Sequence, residues 1–120
     1  MQYADVKINY ADGILRFVPV GEIDHHTAKD VREKMDEALF LYRPKTVCIV
    51  LSDLDFMDSS GLGLILSRYT KIQSLGGELI LEDPTPSISK ILHLAGVDKM
   101  IKIMYSHKTE ECRNEKRKNK

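Results

Sequence analysis

The apolar positions of this chain change period several times along its length, and each change marks an element. Val6, Ile8 and Tyr10 alternate with Lys7 and Asn9, the two-residue period of a strand with one face turned inward. Ala11-Asp12-Gly13 then supplies a turn, and the apolar run Ile14 to Val20 returns as a second strand, so the chain opens with a β-hairpin. Across "GEIDHHTAKDVREKMDEALFLYRP" the period lengthens. Ala28, Val31, Met35, Ala38, Leu39 and Tyr42 fall at helical spacing, with Asp24 placed to cap the first turn and Pro44 just past the end.

Thr46 to Leu51 is a continuous β-rich apolar run, the pattern of a central strand in a sheet covered by helices. Leu62, Ile65, Leu66, Tyr69 and Ile72 mark a second helix, which starts near Asp58 to Ser60 and ends at Gly76-Gly77. Glu78 to Glu82 reads as a short strand. Ile88, Ile91, Leu92 and Ala95 read as a third helix ending at Gly96, and Met100 to Tyr105 as a last strand. Strands alternating with helices imply right-handed βαβ crossovers. The expected fold is therefore a single α/β domain over residues 1–105, its mixed sheet mostly parallel with the hairpin as an antiparallel edge.

Composition supports one self-sufficient domain: 120 residues, 42% hydrophobic and 30% charged, are enough to bury a core without metals or disulfides. Eighteen basic and eighteen acidic residues cancel, so neither a nucleic-acid backbone nor an anionic membrane is the expected partner. The charge is uneven, because Ser106 to Lys120 holds six Lys/Arg against three Asp/Glu. That segment, residues 106–120, reads as a charged tail or short terminal helix. Cys48 lies in an apolar run and Cys112 in the tail, without metal-ligand spacing, so both are expected as free thiols. No apolar stretch reaches the roughly 18 residues of a membrane span and no signal-peptide pattern leads the chain, so a cytoplasmic location is the expectation.

The chemistry concentrates in "LSDLDFMDSSGLGLIL", Leu51 to Leu66, where Asp53, Asp55 and Asp58 run into two serines and a Gly-x-Gly. The loop Ser52 to Ser60 follows a central strand and leads into a helix, the position where α/β sheets carry their sites. Three readings compete. An Asp-x-Asp after an apolar strand resembles the start of haloacid dehalogenase-like phosphatases, but Met57 stands where that pattern wants a small hydroxyl or branched residue. Gly61-x-Gly63 at a helix start could cradle a nucleotide phosphate, although no Gly-Lys-Ser/Thr is present and three aspartates face any anion. Alternatively, a serine at the helix start accepts a phosphate itself. Beside Asp55 and Asp58, with no Lys or Arg in the loop to clamp it, the added charge would break an interface rather than build one. The two glycines also lower helix propensity at the first turn, which makes sense if another surface approaches the backbone there. Adjacent His25 and His26 do not share a helix face and lack zinc-site company; His93 and His107 read as surface residues.

"GEIDHHTA" at Gly21 to Ala28, together with "DLDFMDSSGLGLIL" and "RYTKIQSLGGEL", resembles the bacterial anti-sigma factor antagonists of the STAS family. Within it the likeness is to antagonists of the anti-sigma kinase that controls the sporulation sigma factor F. The resemblance spans roughly Val6 to Tyr105. It implies partner switching: the unphosphorylated antagonist binds an anti-sigma serine kinase and frees the sigma factor, phosphorylation releases the antagonist, and a metal-dependent serine phosphatase resets it. Carried onto this chain, the phosphoserine is Ser59, with Ser60 as fallback, and Asp24, Asp58, Ser60, Gly61 and Leu62 form the partner-binding face. The protein would then be a substrate and binder without catalytic residues, metal or cofactor of its own, and a monomer or weak dimer. A STAS scaffold of the stressosome kind, or a weak nucleotide-binding module, is the alternative.

Overall fold

The computed structural model describes residues 3–106. The tail beyond, including His107 and Cys112, lies outside the described residues. The elements are β1 (Ala4–Ala11), β2 (Ile14–Ile23), α1 (Ala28–Tyr42), β3 (Thr46–Val50), β4 (Leu54–Met57), α2 (Ser59–Ser74), β5 (Glu78–Glu82), α3 (Pro86–Leu94), a 3₁₀ turn Val97–Lys99 and β6 (Lys102–Met104). The sheet runs β1-β2-β3-β5-β6, with β1 antiparallel to β2 and the remaining pairs parallel. This is the mixed α/β sheet with an antiparallel edge that the periodicities predict, and β3 is its central strand.

One element was not predicted. Residues 54–57, read as loop, form β4, which pairs in parallel with the far end of β2 through Gly21, Glu22 and Ile23. β3 pairs with the near end, Ile14 to Phe17. β2 is ten residues long and continues past Val20 to carry both partners.

The two faces of the sheet differ in burial. Leu15, Phe17, Val47, Ile49, Leu79 and Leu81 point into the core with Val31, Met35, Leu39, Ile65 and Ile72 of the helices. Each such side chain contributes about 1.5–3 kcal/mol by leaving water. The opposite face carries Arg16, which reaches across to Glu82 at 3.4 Å, with Ile14, Val18, Val50 and Ile80 only half-buried around it. The continuous apolar run of β3 therefore reflects one covered face plus Cys48, which is buried and unpaired on the more open side. Burial pushes the Cys48 thiol pKa up, and the carboxylate of Glu82 adds to this.

Two other expectations shift in detail. Of the hairpin's inward row only Val6 is buried; Ile8 and Tyr10 are exposed, with Tyr10 stacked on Tyr42 at 4.6 Å. On α2 the fully buried stripe is Gly61, Leu64, Ile65, Arg68 and Ile72, while Leu62, Leu66 and Tyr69 pack at its margin.

Candidate functional site

The carboxyl ends of β2 and β4 lie side by side and bring together the two sequence stretches singled out above. Gly21 makes this possible. Its φ is +91°, and a Cβ there would sit 2.1 Å from the Tyr3 carbonyl oxygen, so only glycine fits. That carbonyl accepts the Glu22 N–H at 2.8 Å, and the register of β2 against β4 slips at the same point. Past the slip, Ile23 pairs with Met57, and the Asp58 N–H donates to the Ile23 carbonyl at 3.2 Å. The strand ends are thereby tied before either helix begins.

Asp24 follows directly and is buried. Its carboxylate accepts the backbone N–H groups of His26 at 2.8 Å and Thr27 at 3.1 Å, while the Thr27 hydroxyl donates to the Glu22 carbonyl and accepts the Asp24 N–H. Burial opposes the charge, but these two N–H groups and the adjacent imidazoles outweigh it and hold the carboxyl pKa below its ordinary value. The expected N-cap is thus displaced by a turn. Thr27 occupies the cap position of α1 but its hydroxyl caps no helical N–H, and Asp24 organises the turn that precedes it. His25 and His26 lie in that turn rather than on the helix, their rings 3.9 Å apart.

On the other side Asp58 is the N-cap of α2, accepting the Ser60 N–H at 2.7 Å. Ser59, the first helical residue, is exposed, whereas Ser60 is half-buried. Gly61 and Gly63 separate into different roles. Gly61 is buried, and a Cβ there would lie 2.7 Å from the Cβ of Met57, so glycine is needed for α2 to sit on β4. Gly63 is exposed with open space above it, so of these two glycines it is the one whose backbone stays accessible. Leu62 is half-buried against the core. Asp53 and Asp55 face solvent, and Phe56 beside them is 47% exposed.

The structure adds residues that the loop sequence does not contain. A groove of about 330 Å³ separates the starts of the two helices, with His25, Lys29 and Arg32 on the α1 side and Ser60, Gly63 and Ser67 on the α2 side. Cations are therefore close to the serine-bearing helix start, supplied by α1 rather than by the loop. One turn beyond, Arg68 is buried and paired with Asp36 of α1. Burial, and then the nearby Arg32, hold its pKa below the ordinary value, and Asp36 is the carboxylate set against it. Neither residue was nominated from sequence, since an apolar stripe search cannot select an arginine; the signal was its position one turn from Leu64, on the same face.

Chemically, this site can bind and can be modified. Among the described residues no three His, Cys, Asp or Glu side chains converge as a metal site, and no helix is long and apolar enough to cross a membrane.

A family model described as the STAS domain matches residues 4–110. The chain is 39% identical over 98 residues to an anti-sigma F factor antagonist of Paenibacillus polymyxa, covering 82% of this chain and 84% of the relative. Among solved structures it superposes on the anti-sigma factor antagonist SpoIIAA in its unphosphorylated form with a TM-score of 0.75 at 26% identity, over 93% and 96% of the two chains. For the Bacillus cell fate determinant SpoIIAA in the phosphorylated form the TM-score is 0.69 at 27% identity, over 92% and 98%.

Proposed function

The chain belongs to the STAS family as an anti-sigma factor antagonist, and from that premise we propose that its switch is phosphorylation of Ser59 by the anti-sigma serine kinase it binds. Unphosphorylated, the face formed around Ser59, Gly63 and the Asp24 turn docks on the kinase, and the sigma factor is released. Phosphorylated, the protein leaves the kinase until a serine phosphatase restores it. The anti-sigma F relative supports a role in sporulation, and the protein acts in the cytoplasm as a substrate and binder rather than as a catalyst.

The observation that carries this reading is the exposure of Ser59 at the first position of α2, beside a Ser60 whose N–H is held by Asp58. A kinase can reach the Ser59 hydroxyl without opening the cap. The added phosphate brings a charge of about −1.5 to −2; the helix dipole tolerates it in the free protein, but the Asp58 carboxylate is adjacent. Enclosed in an interface without a new cationic partner, such a group costs roughly 3 kcal/mol or more. That is upwards of about a hundredfold in Kd.

The test is intact-mass spectrometry and site mapping after incubation with the kinase and Mg-ATP, followed by affinity measurements. One phosphate should map to Ser59 and be absent from Ser59→Ala. The phosphorylated protein should bind the kinase about a hundredfold more weakly. Phosphate mapped elsewhere, or equal affinity of the two forms, would overturn the assignment.

A further inference from the structure

An exposed apolar surface lies at the other pole of the molecule. Between the last turns of α1 and α2, at the amino end of β3, runs a groove of about 280 Å³. Its floor is Leu39, Val47 and Ile72, all buried, and its walls are Phe40 and Leu75, whose side chains remain 75% and 66% exposed. Large apolar side chains bordering a concave apolar floor are the composition of an interaction site rather than of a solvated helix end.

The charge of the groove selects its occupant. Asp36 is the one carboxylate in the lining, and it is neutralised by Arg68. Arg43 and Lys71 line the same groove and have no carboxylate partner among the described residues. The lip therefore carries two uncompensated positive charges. Arg43 is also held in an uncommon conformation. It ends α1 with φ +46°, a position where glycine is the usual residue, and its guanidinium lies 5.5 Å from the centre of the Phe40 ring. An arginine kept where glycine would be strain-free places a cation over the aromatic wall.

We propose that this groove docks an acidic amphipathic segment of a partner protein, one that inserts bulky apolar side chains between Phe40 and Leu75 and sets carboxylates against Arg43 and Lys71. A second copy of this chain fits poorly, because two-fold pairing of the face would bring its cations against each other. The site is also independent of the switch proposed above. Lys71 lies twelve residues after Ser59 on the same helix, about 18 Å along its axis. That is about twice the Debye length at physiological salt, so phosphorylation leaves the groove's affinity unchanged. The partner can stay attached through both states of the Ser59 cycle.

Fluorescence anisotropy on the full chain tests this with three designed helical peptides that share Leu and Phe anchors on one face and differ only in their flanking residues, Glu, Gln or Lys. The Glu peptide should bind, tighter than the Lys peptide by about tenfold or more, with Gln between them. Lys71→Glu and Leu75→Ser should each weaken it about fivefold or more while the far-UV spectrum is unchanged. Arg43→Gly separates binding from folding: it should raise the melting temperature, by relieving the backbone, yet weaken the peptide. Phosphorylated and unphosphorylated protein should bind alike. Equal affinity for the Glu and Lys peptides, no saturable binding of the Glu peptide up to about 1 mM, or binding insensitive to Leu75→Ser would overturn the proposal. So would a concentration-dependent dimer in sedimentation that Leu75→Ser abolishes, since it would assign the face to a second copy.

Discussion

Two alanine substitutions two residues apart, Gly61→Ala and Gly63→Ala, should change stability in opposite directions. Both glycines lie in the first turn and a half of α2, where alanine gains about 1 kcal/mol in helix propensity. At Gly63 a methyl group meets nothing within 4 Å, so the gain is kept and the variant should be stabilised by up to about 1 kcal/mol. At Gly61 the same methyl lies 2.7 Å from Met57 Cβ and 3.1 Å from its sulfur. The Cβ is fixed to β4 and cannot swing aside like the end of a flexible chain, so either α2 or β4 must shift. Overpacking of that kind costs about 1–3 kcal/mol, which leaves Gly61→Ala destabilised by about 1 kcal/mol after the propensity gain. The difference between the variants is then about 2 kcal/mol, or about 8 °C in melting temperature for a domain of this size. Urea unfolding with unchanged m-values measures it directly. Kinase affinity gives a second readout: if Gly63 lies on the proposed docking face, Gly63→Ala should bind more weakly despite its greater stability. A Gly61→Ala protein at least as stable as Gly63→Ala would refute the packing argument.

Asp24→Asn should be destabilising at neutral pH and progressively less so in acid. The native Asp24 pKa is depressed from its ordinary value of 3.8, so the carboxylate's contribution is present above that value and is lost as the pH falls through the lower native pKa. Melting temperatures of the two proteins from about pH 7 to pH 2.5 should converge below about pH 3.8, and a constant gap would sink the idea. For the Asp36–Arg68 pair, Asp36→Leu strands a buried guanidinium and should cost about 2–3 kcal/mol, the lower end of the range because a third of the Asp36 side chain is exposed. Arg68→Met with Asp36→Leu should recover most of that loss; equal destabilisation of the single and double variants in denaturant melts would show that the pair does not compensate as described.

The order of strands and helices could be read in the sequence because each helix and most strands carry their own period, and Gly76-Gly77, Gly96 and Pro44 mark their ends. β4 could not be read this way. Only Leu54 and Met57 of its four residues are buried, Asp55 and Phe56 face solvent, and its strand character comes from pairing with a distant part of β2. The buried stripe of α2 was displaced for a related reason: Gly61 and Arg68 are inside because of what they meet, Met57 and Asp36, and hydropathy counts neither as a core residue. Asp24 was identified as a capping residue from its type, but the extra turn it organises depends on the Thr27 hydroxyl bridging back to Glu22. At the site itself, the serines, the Asp58 cap and the helix start follow from local sequence. The cations of α1 that line the groove beside them required the packing of two helices, which a linear reading cannot supply.

The use of one strand by two partners separates two kinds of inheritance in this protein. β3 takes its register from Ile14 to Phe17, and β4 takes its register from Gly21 to Ile23. Substitutions at Ser52, Asp53, Asp55 and Phe56, which lie outside the core, can therefore diversify while Leu54 and Met57 hold the frame. A duplicated copy could retain the same interior and acquire a different recognition code within a few residues. Parallel signalling lines built on this scaffold could then share a cell without crosstalk, their insulation written in the few exposed residues that lead into the Ser59 helix.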